Sequence, residues 1–304
     1  MVELKTDLLD YELDIPLILA SGILDQTAAT MERIAEKGMG AIVTKSIGKE
    51  PKKGHPNPTV AELETGLLNA MGLPNPGIED FKVELNKLQE SVTQKPIIGS
   101  IFASNPEDFG ELAHEMADNG ADMIELNLSC PHAEGYGASI ASDDETMTEV
   151  IKKVKEVVDE PVLSKLPPST EIDKKAVLAE ESGSDGIVCI NTVRAMAINF
   201  ETQEPILGNK IGGYSGKGIK PIGLRCVFEV YKEVDIPIIG CGGVTTGRDA
   251  LEYMLAGATA LQLGTSIHSR GKKAPEHITE EMRSLMEKED IENIDELIGR
   301  AQKE

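Results

Sequence analysis

The sequence predicts an α/β protein closed as a (β/α)8 barrel, and three observations predict it. Short apolar runs of strand length alternate with amphipathic stretches along the chain, the pattern of a parallel sheet covered by helices. Eight such units fit into 304 residues, an ordinary length for one barrel. Each predicted strand also ends, on its carboxyl side, in polar residues or glycine, where a barrel gathers its chemistry. An open doubly wound sheet is the alternative, disfavoured because no GxGxxG follows the first strand. The chain reads as a single domain, 1–304, with inserted active-site loops.

Strands are expected at 17–20, 41–45, 96–101, 123–128, 162–166, 186–190, 236–240 and 260–263. Helices fit 27–37, 171–182, 221–234 and 248–255. From Pro106 onward, Phe109, Leu112, Ala113, Met116 and Ala117 recur at helical spacing, with Asn105 as the N-cap. Val150, Val154, Val157 and Val158 mark another stripe. The connections 47–76 and 191–220 are longer than a minimal barrel needs, and such loops are commonly functional. The charged tail, 272–304, reads as surface helix.

Composition excludes several classes. Acidic residues number 52 against 30 basic, a formal net charge of −22, which disfavours nucleic acid because phosphate binding needs a basic surface. Aromatics at 3% and no Trp leave little for base stacking. No run approaches membrane-span length and the first residues lack the basic-then-apolar order of a signal peptide, so a cytoplasmic setting is expected. Cys130, Cys189, Cys226 and Cys241 stand far apart with no C-x-x-C pair, which predicts neither a zinc site nor an iron–sulfur cluster in this chain, and no disulfide.

The predicted strand ends carry Ser21-Gly22, Lys45-Ser46, Ser100, Asn127 to Cys130, Lys165, Asn191-Thr192, Gly242-Gly243 and Gly264-Thr265-Ser266. Glycines after the last two strands suit a cofactor phosphate, since the backbone can approach it and its N–H groups can cradle it. Lys45 and Lys165 are expected to point into the barrel mouth, where a buried ammonium needs an anionic partner such as a flavin or a carboxylate substrate. Asn69, Asn127 and Asn191 suit a planar ring edged with C=O and N–H groups. The fourth strand delivers an amide, a hydroxyl, a thiol and an imidazole (Asn127, Ser129, Cys130, His132) to one spot before Pro131 stops the ladder. A cysteine there is by itself more often a small buried hydrophobe; among eight polar strand ends it becomes a candidate reactive group.

Several ordered strings resemble the class 1 dihydroorotate dehydrogenases: Asn69-Ala70-Met71-Gly72-Leu73, Asn127-Leu128-Ser129-Cys130-Pro131, Ile190-Asn191-Thr192, Gly212-Gly213-Tyr214-Ser215-Gly216, Gly240-Cys241-Gly242-Gly243 and Leu263-Gly264-Thr265. Pro205-Ile206-Leu207-Gly208-Asn209-Lys210 is similar to the class 1B catalytic subunit in particular. The resemblance implies an FMN-dependent oxidation of (S)-dihydroorotate to orotate in pyrimidine synthesis. It implies Cys130 as the base for the C5 proton and Lys165 as the charge that stabilises the reduced flavin. Ser21, Lys45, Ser46, Ser100, Asn127, Lys165, Ile190, Gly216, Gly242, Gly243, Gly264 and Thr265 would hold FMN. Lys45, Asn69, Ala70, Met71, Gly72, Leu73, Asn127, Asn191 and Thr192 would hold the substrate. The loop 133–142, rich in Gly, Ala and Ser, would close over it.

Class 1B enzymes pair this subunit with one carrying FAD and a [2Fe–2S] cluster that passes electrons to NAD; a homodimer, or a heterotetramer with that subunit, is the implied assembly. The sequence departs from the family at four places. His132 stands where an Asn is usual, and Ser-Cys-Pro-His is similar to the pyrimidine-reducing domain of dihydropyrimidine dehydrogenase. Lys165-Leu166-Pro167-Pro168, Ser100 and Arg194-Ala195 are the others. Alternatives to dihydroorotate oxidation are therefore reduction of a neutral pyrimidine, tRNA dihydrouridine synthesis (disfavoured by the acidic charge) and a non-catalytic metabolite-binding barrel.

Overall fold

A computed structural model describes residues 2–91, 95–129 and 140–303. Its centre is a closed barrel of eight parallel strands taken in chain order. They are β1 (Leu17–Leu19), β2 (Ala41–Val43), β3 (Ile97–Ile101), β4 (Met123–Asn127), β5 (Val162–Leu166), β6 (Gly186–Cys189), β7 (Ile238–Cys241) and β8 (Ala260–Leu263). The (β/α)8 expectation holds, and each strand falls inside its predicted stretch except β7, which runs on to Cys241. Pairing of Leu261 with Leu17 closes β8 onto β1.

The strands are buried on both faces, which is why they read as continuous apolar runs rather than as alternating ones. Alternation still sorts the side chains. Ile18, Val43, Ile98, Met123, Leu163, Val188, Ile239 and Ala260 pack together inside the barrel. Their neighbours Leu19, Ile42, Ile97, Ile124, Val162, Ile187, Ile238 and Leu261 pack into the larger core under the helices. A hairpin absent from the sequence expectation, Thr6–Leu8 paired with Tyr11–Leu13, adds Leu8 and Leu13 to the inner cluster.

The helical shell is α1 (Ala28–Ala35), α2 (Ile78–Ser91), α3 (Pro106–Asp118), α4 (Asp144–Lys155), α5 (Ile172–Glu181), α6 (Lys220–Val230), α7 (Gly247–Ala256), α8 (Thr265–Arg270) and α9 (Ala274–Lys288). Asn105 caps α3 as expected, its side chain accepting from Asp108 N at 2.8 Å with Pro106 in the first turn. α4 ends before Val157, which is exposed, so the predicted valine stripe is shorter than it reads. The charged tail is surface helix over α9, as expected, with an apolar stripe on its inner face. Ala274, Ile278, Met282 and Met286 recur every four residues among the charges of α9, and all are buried where it packs on α7.

The two long connections are not simple loops. Val60–Leu63, Gly66–Asn69, Gly212–Ser215 and Val193–Ala195 form one antiparallel sheet in which the two inserts pair with each other, Asn69 opposite Gly213. The glycines permit this approach: a Cβ on Gly66 would lie 2.0 Å from the Ser215 carbonyl oxygen, and one on Gly212 2.2 Å from the Asn69 carbonyl oxygen. Both inserts leave the barrel at carboxyl ends, after β2 and β6, so the sheet belongs to the end where the polar residues collect. Among the described residues, no helix is long and apolar enough to cross a membrane.

Candidate active site

Two residues beyond each inner apolar residue, the next side chain on that strand faces the same way. The positions are Ala20, Lys45, Ser100, Glu125, Lys165, Ile190, Cys241 and Gln262. The barrel thus changes from hydrocarbon to mostly polar side chains within one layer, and Ser100, Glu125, Lys165 and Gln262 are bonded to one another.

Lys165 Nζ donates to Gln262 Oε1 at 2.7 Å and to Glu125 Oε1 at 3.4 Å. Gln262 Nε2 donates to Glu125 Oε2 at 2.5 Å, and Ser100 Oγ donates to Glu125 Oε1 at 3.2 Å. A chain of hydroxyls continues from Ser100 to Ser46 at 2.9 Å and from Ser46 to Ser21 at 3.1 Å. Asn127 Nδ2 joins it at Ser46 Oγ (3.4 Å), Asn191 Nδ2 donates to Asn127 Oδ1 (3.1 Å), and Thr192 N donates to Asn191 Oδ1 (2.8 Å). Ser21, Ser46, Ser100, Asn127, Lys165, Asn191 and Thr192, all expected from the sequence, are therefore one network.

Charge in this layer is set by burial and partners. Burial works against the Lys165 ammonium, but Glu125, with Cys241 and Asp25 behind it, more than offsets this and raises its pKa. Burial pushes the Cys241 thiol up, against the pull of Lys165. Asp25 is also pushed up by burial, with Lys45 and the Gly22 N–H pulling the other way; that N–H donates to Asp25 Oδ2 at 2.5 Å. Lys45 itself is buried, and its ammonium makes no hydrogen bond or ion pair among the described residues. The expectation that both lysines await an external anion is thus corrected for Lys165, whose partner is Glu125.

Other predicted residues lie around this network. Gly216, Gly242 and Gly243 meet: a Cβ on Gly243 would sit 2.7 Å from the Gly216 carbonyl oxygen, and all three have positive φ. Ile190 is buried. Gly264 ends β8 beside β1, where Ala20 N donates to Leu263 O at 3.0 Å, and Thr265 opens α8. Asn69 is held in the cap sheet by its bond to Gly213 O at 3.2 Å. Ala70 is buried, Met71 is exposed, and Gly72 and Leu73 carry positive φ. Cys130, His132 and residues 133–139 of the predicted closing loop lie outside the described residues; its remainder, Ile140–Ser142, is a short 3-10 turn with Ile140 and Ala141 buried.

Sequence reasoning missed Glu125, Gln262 and Asp25. The two strand residues were legible only as polar interruptions of apolar runs, and their meeting needs the register of three strands.

The donor set has a clear chemical preference. It offers the Lys45 ammonium, which donates no hydrogen bond among the described residues, one N–H of Lys165 beyond the two in use, and the buried Ser266 hydroxyl, which has no hydrogen-bond partner among the described residues. At Gly22 a Cβ would meet nothing within 4 Å, and at Gly264 only Ala20 Cβ at 3.8 Å. An anion-bearing planar heterocycle with a phosphate fits these groups, as a flavin mononucleotide would; a cation does not.

Comparisons with known proteins point the same way. The family profile described as dihydroorotate dehydrogenase matches residues 3–286. The chain is 48% identical over 303 residues to "Dihydroorotate dehydrogenase B (NAD(+)), catalytic subunit" of Pyrococcus furiosus, covering 99% of this chain and 100% of that one. It is 49% identical over 304 residues to the protein of the same name from Pyrococcus horikoshii, covering 100% and 98%. For the Methanocaldococcus jannaschii protein of that name the identity is 45% over 301 residues, covering 98% of each.

Proposed function

The chain belongs to the dihydroorotate dehydrogenase family, and on that premise we propose that it oxidises (S)-dihydroorotate to orotate in pyrimidine synthesis, with FMN as cofactor. The observation that supports this most directly is the polar layer of the barrel mouth, where two buried lysines stand beside a network of amides and hydroxyls. The family is flavin-dependent, and FMN when bound supplies the acceptor for the hydride that leaves C6 of the substrate. Lys165 provides a fixed positive charge where the ring system gains electrons. Ser21, Ser46, Ser100, Gly216, Gly242, Gly243, Gly264 and Thr265 would hold the cofactor, the glycines offering backbone N–H groups suited to its phosphate.

Lys45 takes the substrate carboxylate, while Asn127 and Asn191 read the C=O and N–H groups of the pyrimidine edge. Residues 69–73, next to the cap sheet, cover the substrate and exclude water. Cys130, three residues past Asn127, removes the C5 proton as the C5–C6 double bond forms. An ordinary thiol titrates near ~8.5, so a modest downward shift suits it to this task.

The relatives are named catalytic subunits, which implies a further subunit. We read that subunit as an FAD/[2Fe–2S] protein relaying electrons to NAD, joined to a dimer of this chain. The present chain has no C-x-x-C pair to hold a cluster, in keeping with electrons leaving through a partner.

The experiment is anaerobic addition of dihydroorotate to the purified chain, followed by its visible spectrum. Bleaching of the flavin band is expected, and Cys130→Ala should keep the flavin while slowing bleaching by ~10²–10⁴-fold. A yellow protein untouched by dihydroorotate, yet reoxidised by uracil once reduced, would move the assignment to pyrimidine reduction. A chain still colourless after reconstitution with FMN would remove the flavin reading.

A further inference from the structure

A barrel needs only well-packed hydrocarbon at its centre, and one layer below Lys165 this one has it. Glu125 at 0% exposure and Gln262 at 1% break that rule inside the same barrel. A buried ion pair is at best near neutral for stability compared with apolar residues of similar volume. The pair therefore calls for a role other than holding the fold together.

We propose that Glu125 and Gln262 are positioning residues for Lys165, fixing its ammonium inside the barrel mouth and keeping it protonated. That this charge serves the cofactor rests on the reading of Lys165 given above.

Three side chains from β4, β5 and β8 close a ring of hydrogen bonds. The lysine donates to Gln262 at 2.7 Å and to Glu125 at 3.4 Å, and the amide donates to the carboxylate at 2.5 Å. An ammonium can only donate and a carboxylate only accept, so the amide has one orientation that satisfies both. Ser100 Oγ adds a further bond to the carboxylate. A lysine stem free to rotate is in this way held by two partners at its tip.

The charged and titratable groups that face Lys165 are Glu125 on β4, Cys241 on β7 and Asp25 from the loop after β1, with Lys45 beside Asp25. Burial pushes both the Cys241 thiol and the Asp25 carboxyl toward their neutral forms. Glu125 alone of them is hydrogen-bonded to the ammonium.

The test is a pH titration by NMR of the full-length chain labelled at lysine Cε, the Lys165 resonance being assigned by its loss in Lys165→Met. In the parent chain that resonance should stay at its ammonium position to about pH 10, the ordinary lysine range. In Glu125→Gln it should titrate at least one pH unit lower, a tenfold loss of proton affinity. A Lys165 that titrates below the ordinary range in the parent chain, or identically in both, overturns the proposal. Should Glu125→Gln fail to fold, the double variant Glu125→Gln/Lys165→Met is expected to fold, because the stranded charge is gone; a double variant as unfolded as the single one also overturns it.

A second measurement separates this proposal from the reading on which it rests. The two-electron midpoint potential of the FMN-loaded chain should move in Glu125→Gln, by ~30 mV for each tenfold change in its hold on the reduced form relative to the oxidised one. A shifted titration with an unmoved potential upholds the positioning of Lys165 and removes its placement beside the cofactor.

Discussion

Two successive layers of one barrel have opposite chemistry. The lower layer, with Ile18, Ile98, Met123, Leu163 and Val188, is hydrocarbon capped from beneath by Leu8 and Leu13. The upper layer, two residues further along the same strands, holds Lys45, Ser100, Glu125, Lys165 and Gln262. Solvent access does not account for the difference, because both layers are buried. What differs is that the lower layer is closed by packing and the upper one by mutual hydrogen bonds, with a few donors left over. The first is built for stability, and the second leaves donors free for a ligand.

Moving charge down one layer should have the largest effect. Met123→Lys would place an ammonium among apolar side chains with no carboxylate on its layer. Its cost of several kcal/mol is a large part of a typical stability of ~5–15 kcal/mol, so the variant should be recovered unfolded, as judged by circular dichroism and soluble yield.

A milder pair sharpens the division. Leu163→Ala should lower the free energy of unfolding by about 2–5 kcal/mol while leaving turnover per folded molecule unchanged. Asn127→Ala, which loses bonds to Ser46 and Asn191, should do the reverse, costing ~1 kcal/mol in denaturant melts but raising KM for dihydroorotate at least tenfold. Equal effects of the two on both measurements would dissolve the distinction between the layers.

The smallest effect concerns the turn after β7, which carries Gly242 and Gly243. Burial opposes ionisation of Asp249, but Lys220, Thr245 and Thr246 hold its carboxyl down at about 2. Because the folded pKa lies below the unfolded one, its contribution is complete above about pH 4 and is lost as pH falls toward 2. Asp249→Asn should therefore melt lower than the parent at pH 7, by an amount equivalent to ~1 kcal/mol, with the gap closing as both are titrated to pH 2.

Most of the barrel was legible because its information is local: apolar runs of strand length, and Asn105-Pro106 at the start of α3. The glycines and lysines of the site were legible because they sit where strands stop. Features whose signal is weak or non-local were not legible. The spacing of Ile78, Phe81, Leu85 and Leu88 in α2 was present but unassigned, lying between a long connection and the next strand. The cap sheet was invisible because Asn69 and Gly213 are far apart in sequence and nothing local announces their pairing. Glu125 and Gln262 were hidden inside runs that read as hydrophobic, since a continuously buried strand conceals which of its polar residues turns inward.

The cap sheet has a consequence for how such a chain can diverge. Its strand order runs from one insert to the other, with Gly212–Ser215 and Gly66–Asn69 paired at its centre. Each insert supplies one antiparallel pair, and Gly66 and Gly212 leave room for no side chain at the seam between them. The two stretches therefore form a single heritable unit written in two places. Transplanting one from a relative without the other would import half a seam, so substitutions that reshape this sheet should arise as matched pairs across it.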